Sequence, residues 1–328
     1  MKKNKKDHYI VTGAAGFIGF FLCKKLLSDK NKVIIGLDSL NNYYSIQLKK
    51  DRLKILKKYK NFKFIKDNLL NIKSLKKKVG KIKINKIFHL AAQAGVRHSI
   101  NKPGDYLDNN IRATFNILEL TKQLKISQLL LASTSSVYGN PITKSINENH
   151  RSDKPIQFYA ASKKSCELMA YAYHKVYRIN VFVLRFFTVY GPWGRPDMAL
   201  FKFVKNIMKN KPIKIYNQGK HTRNFTYVDD VVDAVVKISK KKVKNFFSII
   251  NIGNSKNINL LKFIKEIENV LGIKAKKIFL PLQKGDVPNI KANVSKLDKF
   301  FNYKINTSIS YGIKKFVDWY KSYYRIKY

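Results

Sequence analysis

Two stretches of this chain combine residue types at spacings that suit chemistry. The first is Tyr159-Ala160-Ala161-Ser162-Lys163, a phenol and an ammonium four positions apart. On a helix that spacing puts both on one face, one turn apart. A phenol ordinarily ionises near pH ~10. A neighbouring cation favours the phenolate, so the pair reads as a general base with its activator. Tyr-x-x-x-Lys also describes ordinary surface pairing on a helix. Its position separates the two readings, because it follows the hydroxyl-rich run Ala132-Ser133-Thr134-Ser135-Ser136-Val137-Tyr138-Gly139. That run closes a β-like stretch, and the carboxyl ends of strands are where α/β sheets bind ligands.

The second stretch is Thr12-Gly13-Ala14-Ala15-Gly16-Phe17-Ile18-Gly19. Gly13 permits a tight turn, Gly16 lets backbone approach a pyrophosphate, and Gly19 allows close helix–strand contact. A β-like run precedes it and a helical pattern follows, so the free N–H groups of a helix start face the phosphates. Asp38 ends the next β-like run, roughly 20 residues beyond the last glycine. A carboxylate there accepts hydrogen bonds from an adenosine ribose and repels a 2′-phosphate, so NAD is expected over NADP. The positive nicotinamide ring would push Tyr159 further toward the phenolate, and Lys163 would hydrogen-bond the nicotinamide ribose.

Elements that position these groups are legible through the first part of the chain. Short apolar runs at Tyr9–Val11, Val33–Leu37, Phe62–Ile65, Ile87–Leu90, Leu129–Leu131 and Val181–Leu184 read as strands. Helical patterns fall between them at Phe17–Leu27, Tyr106–Leu124 and Tyr159–Tyr177. This alternation predicts an α/β fold with a doubly wound parallel Rossmann sheet. We expect an NAD-binding domain over residues 1–185. A smaller α/β substrate-binding lobe is expected over 186–328, with some of its segments returning to the first domain.

Composition narrows the class. The 328 residues are 45% hydrophobic and 13% aromatic, a globular balance. The basic start Lys2, Lys3, Lys5 and Lys6 before Ile10–Leu22 imitates a signal peptide, but the glycine spacing explains that stretch better and no small-residue cleavage site follows. No apolar run reaches the ~18 residues of a membrane span. Cys23 and Cys166 lie in helical patterns and read as reduced, buried residues of a cytoplasmic protein. Six histidines show no metal-ligand spacing, so no metal is expected. Lys+Arg 66 against Asp+Glu 20 gives +46, which raises the possibility of a nucleic-acid or membrane partner. The lysines are strewn along the whole chain with many Ile and Asn, as an A/T-rich genome imposes. They therefore read as solvated charge, with salt-sensitive adhesion to polyanions and no specific nucleic-acid recognition.

Together the motifs resemble the extended short-chain dehydrogenases, and three longer stretches sharpen the resemblance to the UDP-glucuronate 4-epimerase subgroup. These are His89-Leu90-Ala91-Ala92-Gln93-Ala94-Gly95-Val96-Arg97, Leu184 through the run Tyr190-Gly191-Pro192-Trp193-Gly194-Arg195-Pro196-Asp197-Met198-Ala199, and Leu280 to Pro288. The likeness runs from about residue 8 to the C-terminus. It implies that Thr134, Tyr159 and Lys163 are the catalytic triad. Gly13, Gly16, Phe17, Ile18, Gly19, Asp38 and Asp67 would contact NAD, and Leu90, Ala91, Ala92 and Asn110 would line its pyrophosphate and ribose. Arg195 and Arg223 match the pair that grips a UDP diphosphate, a task suited to guanidinium forks. Asp286 matches the uridine-ribose contact, and Ser135, Ser136 and Thr188 face the sugar carboxylate.

Two positions depart from the subgroup's pattern: Asn224 stands where Asp is usual, which would loosen Arg223, and Lys284 stands where Pro is usual. The resemblance implies redox inversion at C4 of a UDP-hexuronic acid, UDP-glucuronate to UDP-galacturonate, by way of a 4-keto sugar. Related dehydratases and decarboxylases carry an acid after the threonine, where this chain has Ser135-Ser136. UDP-N-acetylglucosaminuronate or UDP-glucose 4-epimerase is the alternative. From another class stands a non-catalytic polyanion-binding Rossmann protein, disfavoured because every catalytic position is filled. The helices Tyr106–Leu124 and Tyr159–Tyr177 match a four-helix dimer contact, so a homodimer is expected.

Overall fold

Seven parallel strands form the central sheet. The computed structural model describes residues 6–141, 145–287 and 289–326; Lys2, Lys3 and Lys5 of the basic start and Pro288 of the last motif lie outside them. In chain order the first half runs β1 (Asp7–Thr12), α1 (Phe17–Leu27), β2 (Lys32–Asp38), α2 (Ile46–Leu56), β3 (Phe62–Lys66), α3 (Ile72–Val79) and β4 (Ile84–His89). It continues through α4 (Ala113–Gln123), β5 (Gln128–Thr134), α5 (Phe158–Tyr177) and β6 (Asn180–Phe186). Beyond lie α6 (Ala199–Met208), β7 (Ile213–Tyr216), α7 (Val228–Ser239), β8 (Phe247–Ile252), α8 (Leu260–Leu271), β9 (Lys277–Leu280) and α9 (Ile309–Tyr324). The sheet order is β8-β6-β5-β4-β1-β2-β3. This is the doubly wound α/β fold that the alternating pattern predicts.

The order reverses between β1 and β4, which opens a crevice at the carboxyl ends of those two strands. The crevice is tied by side chains. Thr12 at the end of β1 meets His89 Nδ1 at 2.8 Å and accepts from the Leu90 and Ala91 N–H groups at 3.1 Å each. β5 is buried along its whole length, as a central strand covered on both faces must be.

β8 pairs in parallel with β6 from Phe247↔Val181 to Ile252↔Phe186, and the apolar face of α7 joins the core cluster around α1. A separate cluster unites α6, α8, α9 and β7, which pairs with β9, and Phe225 stacks on Phe263 at 3.9 Å between ring centroids. The expected helix Tyr106–Leu124 is interrupted. Leu107–Arg112 forms a wider π-type turn before α4 begins. Side-chain periodicity does not reveal one inserted residue, so the sequence pattern shows a continuous helix there.

Candidate functional site

The crevice widens into a cavity of about 860 Å³ lined by the strand ends of the sheet and by segments beyond β6. Its dinucleotide end is built from backbone. Gly13 has φ of +70°, and a Cβ there would stand 2.9 Å from the Ala91 nitrogen. A Cβ on Gly19 would stand 2.0 Å from the Gly13 oxygen, so α1 packs against the loop only because none is present. Gly16 is the N-cap of α1 and no side chain caps it. The first-turn N–H groups therefore suit an anion. Phe17 and Ile18 line the same end.

Asp38 holds its shape. One carboxylate oxygen accepts from Ala15 N–H at 3.0 Å and the other from Leu40 N–H at 2.8 Å, leaving a lone pair on each. Asp67 also faces the cavity and accepts from Lys78 at 2.6 Å and Ser74 at 2.7 Å. Burial alone would raise its carboxyl, but those bonds outweigh it and hold the pKa below the ordinary value. Leu90, Ala91 and Ala92 form the wall opposite α1. These residues fit a bound dinucleotide: an uncapped helix start, a turn closed to any Cβ, and a carboxylate with acceptors to spare.

Asn110 is placed differently. It does not line the cavity but is fully buried behind it. Its amide accepts from Gln93 N–H at 2.7 Å and donates to Gln93 O and to Ser162 Oγ. The π-type turn swings it inward, so it fixes the Ala92-Gln93 wall and the turn of α5 that carries Lys163.

The reacting end gathers Thr134, Tyr159 and Lys163 around the carboxyl end of β5. Thr134 ends the strand, and its hydroxyl accepts from Ser136 N–H at 3.2 Å, starting a short 3₁₀ turn over Ser135–Tyr138. That turn presents Ser135 and Ser136 to the cavity, which Thr188 also lines. Removal from bulk water pushes the Tyr159 phenol up, opposed by a hydrogen bond from Thr134 and the charge of Arg195. The expected shift toward the phenolate combines Lys163 with the positive nicotinamide ring, and burial is the largest influence among the protein's own groups. Lys163 is itself buried, which pushes its pKa down, while Cys166 and Glu167 oppose. Among the described residues none accepts a hydrogen bond from its ammonium, and it lines the cavity, as a ribose contact requires.

Arg195 enters the cavity clamped by Asp197 through two bonds, 3.0 and 2.5 Å, and Tyr43 donates to the same carboxylate at 3.2 Å. Burial would raise Asp197, but Arg195 more than offsets it. At the far end Arg223, Asp286 and two residues not singled out from sequence, Arg97 and His221, converge. Arg97 lies 3.5 Å and His221 4.0 Å from the Asp286 carboxylate, and Arg97 stacks on Tyr216. Burial lowers Arg223 and Asp286 opposes. Asn224 is not a loose point. It is fully buried, donates to Asn254 O at 2.7 Å and Lys256 O at 3.3 Å, and accepts from Ala292 N–H at 2.9 Å. Two carbonyl acceptors need a donor, which an Asp would lack. Gln157, the N-cap of α5, donates to the Gly285 carbonyl and so ties the Asp286 loop to the catalytic helix.

A model of the NAD dependent epimerase/dehydratase family matches residues 9–253, well over half of the chain. The chain belongs to that family. The UDP-glucuronate 4-epimerase of Thermodesulfobacterium geofontis is 42% identical over 315 residues, covering 96% of both chains. A probable UDP-glucuronate 4-epimerase of Rhizobium meliloti is 40% identical over 334 residues, 97% of this chain and 98% of that one. Among solved structures, the UDP-glucuronic acid 4-epimerase from Bacillus cereus, in complex with UDP-glucuronic acid and NAD, matches with a TM-score of 0.91 at 34% identity. The match covers 97% of this chain and 100% of that one. Among the described residues of this epimerase/dehydratase family member, no helix is long and apolar enough to cross a membrane, and no cluster is suited to a metal ion.

Proposed function

We propose that this chain is an NAD-dependent UDP-glucuronate 4-epimerase, converting UDP-glucuronate to UDP-galacturonate. The observation that carries the reading is the end of β5. Thr134, Ser135, Ser136, Tyr159 and Thr188 line one cavity, and positions 135 and 136 hold hydroxyls, not acids. Arg195 and Arg223 line the same cavity and supply guanidinium groups for a diphosphate. The names of the relatives support the same substrate.

NAD, held by the glycine loop, Asp38 and Lys163, would supply the hydride acceptor and donor that inversion at C4 needs. The chain does the rest. Tyr159 takes the C4 hydroxyl proton and later gives it back, with Thr134 holding the phenol by a hydrogen bond. Lys163 binds the nicotinamide ribose and keeps positive charge near the phenol. Arg223, with Asp286 on the uridine ribose, anchors UDP while the keto sugar turns. A 4-keto hexuronic acid is a β-keto acid prone to lose CO₂. Neutral hydroxyls on Ser135, Ser136 and Thr188 hold its carboxylate in one orientation and supply no acid for elimination.

We assign residues 1–185 to cofactor binding and 186–328 mainly to substrate binding. Exposed Phe115, Leu168, Tyr171 and Val176 on α4 and α5 support a homodimer. The two buried free cysteines support a reducing, cytoplasmic setting. Purified protein incubated with UDP-glucuronate, without added reductant, is expected to yield UDP-galacturonate on chromatography. Tyr159→Phe is expected to abolish that product while retaining NAD. A Phe variant with wild-type turnover would falsify the assignment of the base.

A further inference from the structure

Among the described residues Arg52 is the largest side chain with no exposed surface. It projects from α2, and its fork spans two loops far apart in sequence. Nη1 donates to the Ala15 carbonyl at 2.8 Å and to the Tyr44 hydroxyl at 2.8 Å, and Nη2 donates to the Trp193 carbonyl at 2.5 Å. Ala15 stands between the first two glycines of the dinucleotide loop, and its N–H is held by Asp38 at 3.0 Å. One short peptide segment is thus gripped at both ends. Trp193 sits two residues before Arg195 in a left-handed backbone conformation, φ of +57°. Its ring packs on Phe20 of α1 and on Trp319 and Tyr323 of α9.

The electrostatics of Arg52 are unusual for so buried a cation. No carboxylate among the described residues pairs with it. Its neighbour Asp51 is engaged by Tyr323 at 2.6 Å and by Gln47 at 2.9 Å. A buried charge ordinarily requires a counter-charge. The place one would come from is the uncapped start of α1, one residue beyond Ala15, where a pyrophosphate is favoured already by the helix dipole.

We infer that Arg52 is a positioning residue that couples the dinucleotide site to the loop carrying Arg195, so that a uridine diphosphate bound at one site slows loss of NAD from the other. The inference rests on the reading of the chain as a UDP-sugar epimerase. A diphosphate pulling Arg195 and its loop inward moves the Trp193 carbonyl, and the rigid guanidinium carries that movement to the Ala15 carbonyl. Linkage makes the effect mutual: NAD tightens UDP by the factor by which UDP tightens NAD. Lysine cannot replace this function, since one ammonium on a shorter reach does not hold two carbonyls in a fixed fork.

The test uses the full NAD-loaded chain, with UDP alone as the second ligand. NAD remaining on the protein is followed with time after desalting, with and without saturating UDP. UDP binding is confirmed separately by calorimetry. In the wild type UDP is expected to slow NAD loss by a factor in the ordinary range of site-to-site coupling, roughly 5- to 150-fold. In Arg52→Lys the factor falls to near one while UDP still binds. Tyr44→Phe keeps both carbonyl contacts and retains the factor. A wild-type factor near one, an R52K factor equal to the wild type, or Y44F losing it as fully as R52K would each overturn the coupling. Absence of UDP binding to the wild type would overturn the epimerase reading, and the inference with it. A second measurement needs no variant. UDP added to the NAD-loaded wild type is expected to slow hydrogen exchange across the Gly13–Phe20 segment, and unchanged exchange there counts against the route through Arg52.

Discussion

Replacing Glu167 by Gln tests what holds the catalytic strand and helix in register. Glu167 lies one turn beyond Lys163 on α5, and its side chain is 2% exposed. It accepts two bonds from Arg185 of β6, at 2.9 and 2.7 Å, and one from Ser133 of β5 at 2.6 Å. Arg185 is 1% exposed, also bonds Ser152 at 3.2 Å, and lies over the Tyr138 ring at 4.6 Å. Gln keeps the volume and one acceptor. It turns its NH₂ toward donors and leaves the guanidinium without an anion. Removing one partner of a buried ion pair costs about 3–5 kcal/mol. The retained acceptor and the Tyr138 face place E167Q at the lower end, about 3 kcal/mol. Urea unfolding followed by tryptophan fluorescence measures the loss. The double change Glu167→Met with Arg185→Met removes both charges and is expected to cost less than E167Q alone. A loss under about 1 kcal/mol in E167Q, or a double variant whose cost equals the sum of its two single changes, refutes the view that the pair is locked by mutual need.

Two further outcomes follow from groups at the crevice. Burial, with the charge of Lys163 adding to it, lowers His89 from 6.5 to about 3. The unfolded chain therefore takes up this proton first as pH falls, and stability drops through the window from 6.5 down to 3. At a pH of about 4.5 this group alone removes about 3 kcal/mol. His89→Gln is expected to flatten the stability difference between pH 7 and that pH by this amount in denaturant titrations, and an unchanged slope excludes His89 as its source. Asp38→Ala removes the hold on Ala15 N–H and, on the proposed reading, the ribose acceptor, so NAD binding is expected to weaken and relative acceptance of NADP to improve. An unchanged preference in binding titrations shows that Asp38 is not the ribose ligand.

The sheet was legible because buried parallel strands write themselves as apolar runs, and because chemistry-bearing residues sit at strand ends marked by glycine or hydroxyls. α1 is read from Phe17 to Leu27 and found there. α2 and α3 were not read. In α2 the buried Lys49 and Arg52 break the apolar face, and α3 is only eight residues long with Leu75 and Val79 buried. β8 was missed as well, since a six-residue strand far along the chain carries no sign that it pairs back onto β6. Contacts over long sequence separations were out of reach. Tyr43 meets Asp197 and Arg52 meets Trp193 only because the loop and helix after β2 fold across the mouth of the crevice. Arg97 stood inside a motif already singled out, and its type was the available signal. The interrupted helix before α4 hid the inward turn of Asn110, so its wall-building role needed coordinates.

The central claim is that one cavity inverts C4 of UDP-glucuronate by taking hydrogen from that carbon and putting the same hydrogen back. UDP-glucuronate bearing deuterium at C4, incubated with the purified chain in ordinary water, tests it most directly when the products are resolved by chromatography and mass spectrometry. The account predicts UDP-galacturonate that keeps the deuterium, with little UDP-pentose. Product that has exchanged its label for solvent hydrogen, UDP-pentose as the main product, or substrate recovered unchanged would contradict it.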